Sequence, residues 1–227
     1  MTYDICTVLC GGDGPQLGQD FRYVDNRDNK LSPCEAYQNL LEHTTADVLM
    51  YSHDDVIVND LDWVGRVMEV FDKPNVVAVG FGGATALGHP NLYKKPYNIW
   101  NMAREGYVSN QTDAEVHGER FSGVLRVATL DAFFMAVGVS WLRSLGGWPI
   151  GRLTHHCLDL WLACEVARAN KEIWMVGVDC THLGGRSSTK GSYSDAKWLQ
   201  GGTVESDHAI PHRWLHENYR DVLPIRV

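Results

Sequence analysis

Between Tyr3 and Phe81, short apolar runs alternate with stretches of helical periodicity, and this alternation decides most of what the chain can fold into. Tyr3 to Cys10 is rich in strand formers and closes on Gly11-Gly12-Asp13-Gly14-Pro15, a sharp loop. Phe21-Arg22-Tyr23-Val24 reads as a second strand, ending in the polar run Asp25 to Asn29. Only about ten residues join these two strands, near the lower limit for a parallel crossover. Ser32-Pro33 then opens a helix. Ser32 can cap it, Pro33 suits its first position, and Glu35 completes a capping box. Asp47 to Tyr51 is a third, buried strand, and Asp60 to Phe71 an amphipathic helix with Leu61, Val64, Val67, Met68 and Phe71 on one face. Val76 to Phe81 is a fourth strand. Strand–helix–strand alternation of this kind implies an α/β fold with a largely parallel sheet and helices on both faces.

The second half is less regular. Ala84 to Glu119 is polar with weak periodicity, and its Tyr93, Tyr97, Trp100 and Tyr107 either line a recognition surface or anchor the loop. Val124–Val127 and Phe133–Val137 read as strands, Ser140–Leu145 as a short helix, Cys157–Asn170 as a long one and Ile173–Val178 as a last strand. Gly184 to Gly202 is Gly/Ser-rich and reads as a mobile tail. His208 to Tyr219 reads as a closing helix.

Composition narrows the class. The chain has 227 residues, enough to bury a core without staples, and no internal repeat. Its formal net charge of -8 argues against broad attraction to nucleic acid or anionic membrane. Six scattered cysteines with no CxxC pair read as reduced, mostly buried thiols. Neither a signal peptide nor a membrane-spanning run is present, so a cytoplasmic location is expected.

Polar residues gather at the ends of the expected elements. Asp25 follows the second strand, His53-Asp54-Asp55 the third, and His182 the last, while His155-His156-x-x-Asp159 opens a helix. Charges there are costly unless paired or bound to a metal. The carboxyl ends of strands in an open α/β sheet are where ligands bind. Carboxylates with histidine and no thiolate cluster suit Mn²⁺ or Mg²⁺ better than structural zinc. A separate acid at a helix start can serve as a general base. Together these features fit sugar transfer from a nucleotide diphosphate.

The same residues carry a family resemblance. Cys34 to Leu41 leading into Ala46 to Val56 resembles the helix and strand before the DxD-type motif of family-2-type glycosyltransferases, in the branch reading His-x-Asp-Val. Thr129 to Met135 resembles that family's acceptor-side strand, His156 to Leu162 its His-x-x-Asp helix start, and Val178 to Gly185 its late strand. The resemblance implies a single GT-A-type (Rossmann-like) domain. Residues 1–83 would form a nucleotide-binding half, 84–190 an acceptor-binding and catalytic half, and 191–227 a C-terminal tail. It implies Asp159 as catalytic base, Asp55 and His182 as metal ligands, and Asp25, His53 and Asp54 on the nucleotide or donor. Asp131 and His156 would face the acceptor or the sugar. The partners implied are a nucleotide-sugar donor and a carbohydrate or other hydroxyl-bearing acceptor, with nucleic acid disfavoured by charge. Two other readings compete: a metal-dependent hydrolase using His53, Asp54, His155, His156 and Asp159, and a non-catalytic carbohydrate-binding module on the same fold.

Overall fold

A computed structural model describes residues 1–11, 13–88, 107–108, 121–183 and 193–227. Tyr93, Tyr97 and Trp100 of the aromatic loop lie outside the described residues.

The centre is a seven-stranded sheet in the order β2-β1-β3-β11-β5-β12-β9. Its members are β1 (Tyr3–Leu9), β2 (Arg22–Asp25), β3 (Val48–Ser52), β5 (Val76–Gly80), β9 (Val124–Val127), β11 (Phe134–Gly138) and β12 (Glu172–Val176). Strands β2, β1, β3, β5 and β12 run in one direction. Strands β11 and β9 oppose them, so the sheet is mixed, with parallel strands in the majority.

Alternate residues of each strand feed two separate cores. Cys6, Val8, Leu49, Tyr51, Met135 and Val137 join one, and Ile5, Val48, Met50, Phe134 and Ala136 the other. Helices α1 (Pro33–His43) and α4 (Leu158–Arg168) pack into the first, and α2 (Trp63–Phe71) into the second. The expected covering of both faces follows.

Several boundaries differ from the sequence reading. The α1 capping box forms as expected, with Ser32 and Glu35 exchanging bonds. Helix α2 starts later than Asp60. Asp60 instead pairs with Arg66, and Leu61, expected on the apolar face, is 87% exposed. Short strand β4 (Val56–Val58) escapes the sequence reading because its three residues follow directly on the acidic segment. Helix α3 is Val139–Ser144.

Among its described residues, the link between β1 and β2 contains no helix. It is pinned instead. Gln16 bridges β4 through its N–H to the Val56 carbonyl and its own carbonyl to the Val58 N–H, each at 2.8 Å. The Trp63 indole donates to the Leu17 carbonyl at 2.9 Å, and Leu17 is buried in the second core. A few backbone bonds and one aliphatic anchor thus replace the usual crossover helix.

The C-terminal segment is also more structured than its composition suggests. Tyr193 and Leu199 are buried, and helix α5 (Val204–Asn218) begins before the expected His208. Its start is set by a second capping box, in which Thr203 and Ser206 exchange bonds at 3.1 Å. All six cysteines are free, five of them buried.

Candidate active site

Strand β3 ends at Ser52 and delivers His53, Asp54 and Asp55 beyond the carboxyl edge of the sheet. Strand β13 (Cys180–His182) pairs antiparallel with β4 and sets His182 opposite Val56, beside Asp55. One nitrogen of His182, Nε2, faces Asp55 Oδ1 at 3.2 Å and His53 Nδ1 at 3.3 Å. Among the described residues, His53, Asp55 and His182 form a group whose potential donor atoms lie within 4.8 Å of one another. The Asp55 and His182 side chains are only 12% and 15% exposed.

Neighbouring groups fix this cluster. The Phe133 ring stacks on His182 with centroids 4.9 Å apart. The His53 N–H donates to the Phe133 carbonyl at 2.9 Å, and the Leu183 N–H to the Asp55 carbonyl at 3.1 Å. Burial, then the adjacent His182, holds the His53 imidazole below its usual pKa, which favours a free lone pair. Burial alone would raise Asp55. The hydrogen bond from His182 and the two imidazole charges outweigh it and keep the carboxyl low. Two imidazoles and one carboxylate converging in a half-buried niche have the donor chemistry for a divalent cation. Asp55 and His182, expected as ligands, therefore sit together. His53, expected on the donor, joins them.

Asp54 does something else. Its Oδ2 accepts the backbone N–H groups of Cys10 at 2.8 Å and Gly11 at 3.2 Å, gripping the turn after β1. Asp25 lies at the end of β2, level with Leu9, exposed and paired to Arg27. The hydrogen bonds from Arg27 draw its carboxyl down to about 2.

Asp159 stands in the first turn of α4 and is 8% exposed. Its Oδ1 accepts the Leu160 N–H at 2.9 Å. The helix dipole favours a negative charge there. The charges of Asp54 and Asp159 both bear on the buried Tyr37 hydroxyl. The helix starts at Cys157, whose backbone is left-handed with φ of 68°. Asp131 follows β10 (Thr129–Leu130), with its N–H on the Gly82 carbonyl at 2.9 Å and its charge felt by His53.

His156 points into an aromatic cluster. Its ring is 4.6 Å from those of His155 and His208, and its Nε2 is 3.3 Å from the Tyr193 hydroxyl. Burial and the neighbouring imidazoles push it down to about 2. The hydrolase set is accordingly split, with His53 on His182, Asp54 on the β1 turn and His156 in the aromatic cluster. Sequence reasoning passed over Tyr193, Trp198, His208 and His212 around His156. The i, i+4 spacing of the last two was the available signal.

Residues 20–179 match the glycosyltransferase-like family. No curated protein matches the chain. Among solved structures, GalNAc-T7 with UDP, GalNAc and Mn²⁺ is similar with a TM-score of 0.51 at 10% identity, over 88% of this chain and 45% of that one. The mannosyltransferase PcManGT from Pyrobaculum calidifontis, in complex with GDP-Man and Mn²⁺, gives 0.43 at 15% identity, over 89% of this chain and 53% of that one. A STIV protein gives 0.49 at 14% identity, over 82% and 87%. The chain thus spans about half the length of the two transferases. The likeness bears out the expected GT-A fold.

Proposed function

Because the chain belongs to the glycosyltransferase-like family, we propose that it transfers a sugar from a nucleotide-diphosphate donor to an acceptor hydroxyl, with a divalent cation and inversion at the anomeric carbon. The observation that carries this reading is the convergence of His53, Asp55 and His182 at the carboxyl edge of the sheet. His53, Asp55 and His182 would hold the cation. Two nitrogen donors favour Mn²⁺ over Mg²⁺, which prefers an all-oxygen shell. When bound, the cation would supply positive charge to offset that of the leaving diphosphate.

The chain's own residues do the rest. Asp54 holds the turn after β1 in shape for the nucleotide, and Asp25 faces the base. Asp131 borders the sugar and the acceptor, whereas His156 is turned into the aromatic cluster with His208 and Tyr193. Asp159 takes the proton from the acceptor hydroxyl as its oxygen bonds to the anomeric carbon. The bond from that carbon to the diphosphate oxygen breaks on the opposite face. The acceptor is a carbohydrate or another hydroxyl-bearing molecule, and the net charge of -8 disfavours nucleic acid.

Thermal unfolding with uridine or guanosine diphosphate tests this. Ligand at about 100 times its Kd stabilises by about 2.7 kcal/mol. The expected result is a rise in Tm with Mn²⁺ that disappears in chelator. A nucleotide effect indifferent to metal would overturn the metal-dependent reading.

A further inference from the structure

The residues before α4 are clamped by a part of the chain beyond the family match. Thr154 Oγ donates to Asp207 Oδ1 at 2.5 Å, and the Gln200 N–H reaches the same oxygen at 2.9 Å. Asp207 is fully buried, and its other oxygen, Oδ2, has no hydrogen-bond partner among the described residues. The Gln200 amide donates to the Arg152 carbonyl at 2.9 Å. His155 stacks on Tyr193 at 4.8 Å, and Tyr193 on Trp198 at 5.5 Å. The Trp198 indole donates to the Asn29 carbonyl at 3.1 Å. His156 packs on His208 at 4.6 Å, and His208 on His212 at 4.7 Å. Arg152, Thr154, His155 and His156 are thus all held by residues 193–208, just before the left-handed Cys157 from which α4 and Asp159 start.

We propose that residues 193–212 form an acid-released latch that fixes the start of α4 and thereby positions Asp159. The latch closes when its imidazoles are neutral. The charges bearing on His156 come from His155, His208 and His212, all of one sign, and those on His155 from His53 and His208. Asp207, the buried carboxyl of the cluster, is engaged by Thr154 and Gln200, and its charge bears on Tyr193. Burial keeps His155, His156 and His208 below the usual histidine range. Adding protons therefore places like charges side by side in a desolvated cluster, and undocking α5 relieves both penalties. Asp207 is a positioning residue, acting through the Thr154 hydroxyl.

The latch itself stands apart from the transferase reading, and only its effect on Asp159 rests on it. The test is an acid titration of the full chain in chelator, with near-ultraviolet circular dichroism reporting the aromatic stack and far-ultraviolet reporting the sheet. The near-ultraviolet signal is expected to be lost first, about one pH unit above the far-ultraviolet change. His208→Gln with His212→Gln should move that first step down by about one unit. Coincident transitions in the wild type would overturn the latch. So would an unmoved first step in the double variant or, should that variant not fold, in His208→Gln alone. Asp207→Ala should lower kcat roughly tenfold at neutral pH while leaving donor KM within about twofold. An unchanged kcat would remove the positioning role. A wild type without transfer activity would count against the transferase reading alone.

Discussion

The Asp54 carboxylate accepts the backbone N–H of Cys10 at 2.8 Å, although it sits between two side chains that face the opposite cluster. One three-residue run thus serves the cluster with His182 through its outer members and the first turn of the sheet through its middle one. Asp54→Ala should leave two N–H groups without their charged acceptor, costing about 1–3 kcal/mol in urea unfolding. Nucleotide affinity should fall while Mn²⁺ binding persists. Equal loss of both would show that Asp54 belongs to the cation niche.

His182→Ala removes the side chain that both Asp55 and His53 face. Isothermal titration with Mn²⁺ should show affinity reduced by at least about tenfold. Chelator should then no longer change the Tm of this variant. A Mn²⁺ affinity equal to the wild type would place the cation elsewhere.

Asp159→Asn keeps the size of the side chain and removes its ability to take a proton. Turnover should drop by roughly 10²–10⁴-fold, with donor binding and Tm near wild type. Retained turnover would take the base role from Asp159.

Stability should depend on pH through the imidazoles. His155 and His156 have folded pKa values lowered to about 4 and about 2. The unfolded chain, near 6.5, therefore binds protons first as pH falls. The penalty is absent above about pH 6.5 and grows as pH drops toward 4, by at most about 1.4 kcal/mol per pH unit for each imidazole. Residual solvent access reduces that slope. Guanidinium unfolding between pH 7.5 and 5 should show the midpoint falling, and a flat profile would contradict the burial of these rings.

Thr203 caps α5, and its loss should be felt at the end of the chain. Thr203→Ala should cost about 1 kcal/mol, measured as a shift in Tm.

Much of this arrangement could be read from residue order. The apolar runs ending in His53-Asp54-Asp55 and in His182 marked two strand ends, and a strand end in such a sheet is where polar groups can stay solvated. The pairing of β13 with β4 that makes them neighbours was hidden, because β4 has only three residues and no alternation to announce it. The route from β1 to β2 was hidden for another reason. Its order comes from Gln16, Leu17 and Trp63, whose contacts are remote in sequence, rather than from a local periodicity. The tail misled through composition: Gly/Ser content suggested mobility, whereas burial of Tyr193 and Leu199 decides the matter in residues 193–202. The role of Asp54 was invisible, since nothing in a run of two aspartates says which one turns back toward the backbone.

The antiparallel strand β11 lies between β3 and β5, bonded to both. On a chain emerging from the ribosome, β3 and β5 have no common neighbour until residue 138 has been added. Until then each carries an open edge of unpaired amides, the template on which foreign strands dock. Translation speed through residues 81–138 therefore sets how long the open edge of the β2-β1-β3 half-sheet and the lone β5 strand stay exposed, and a holdase acting on the nascent chain would be most useful in that interval.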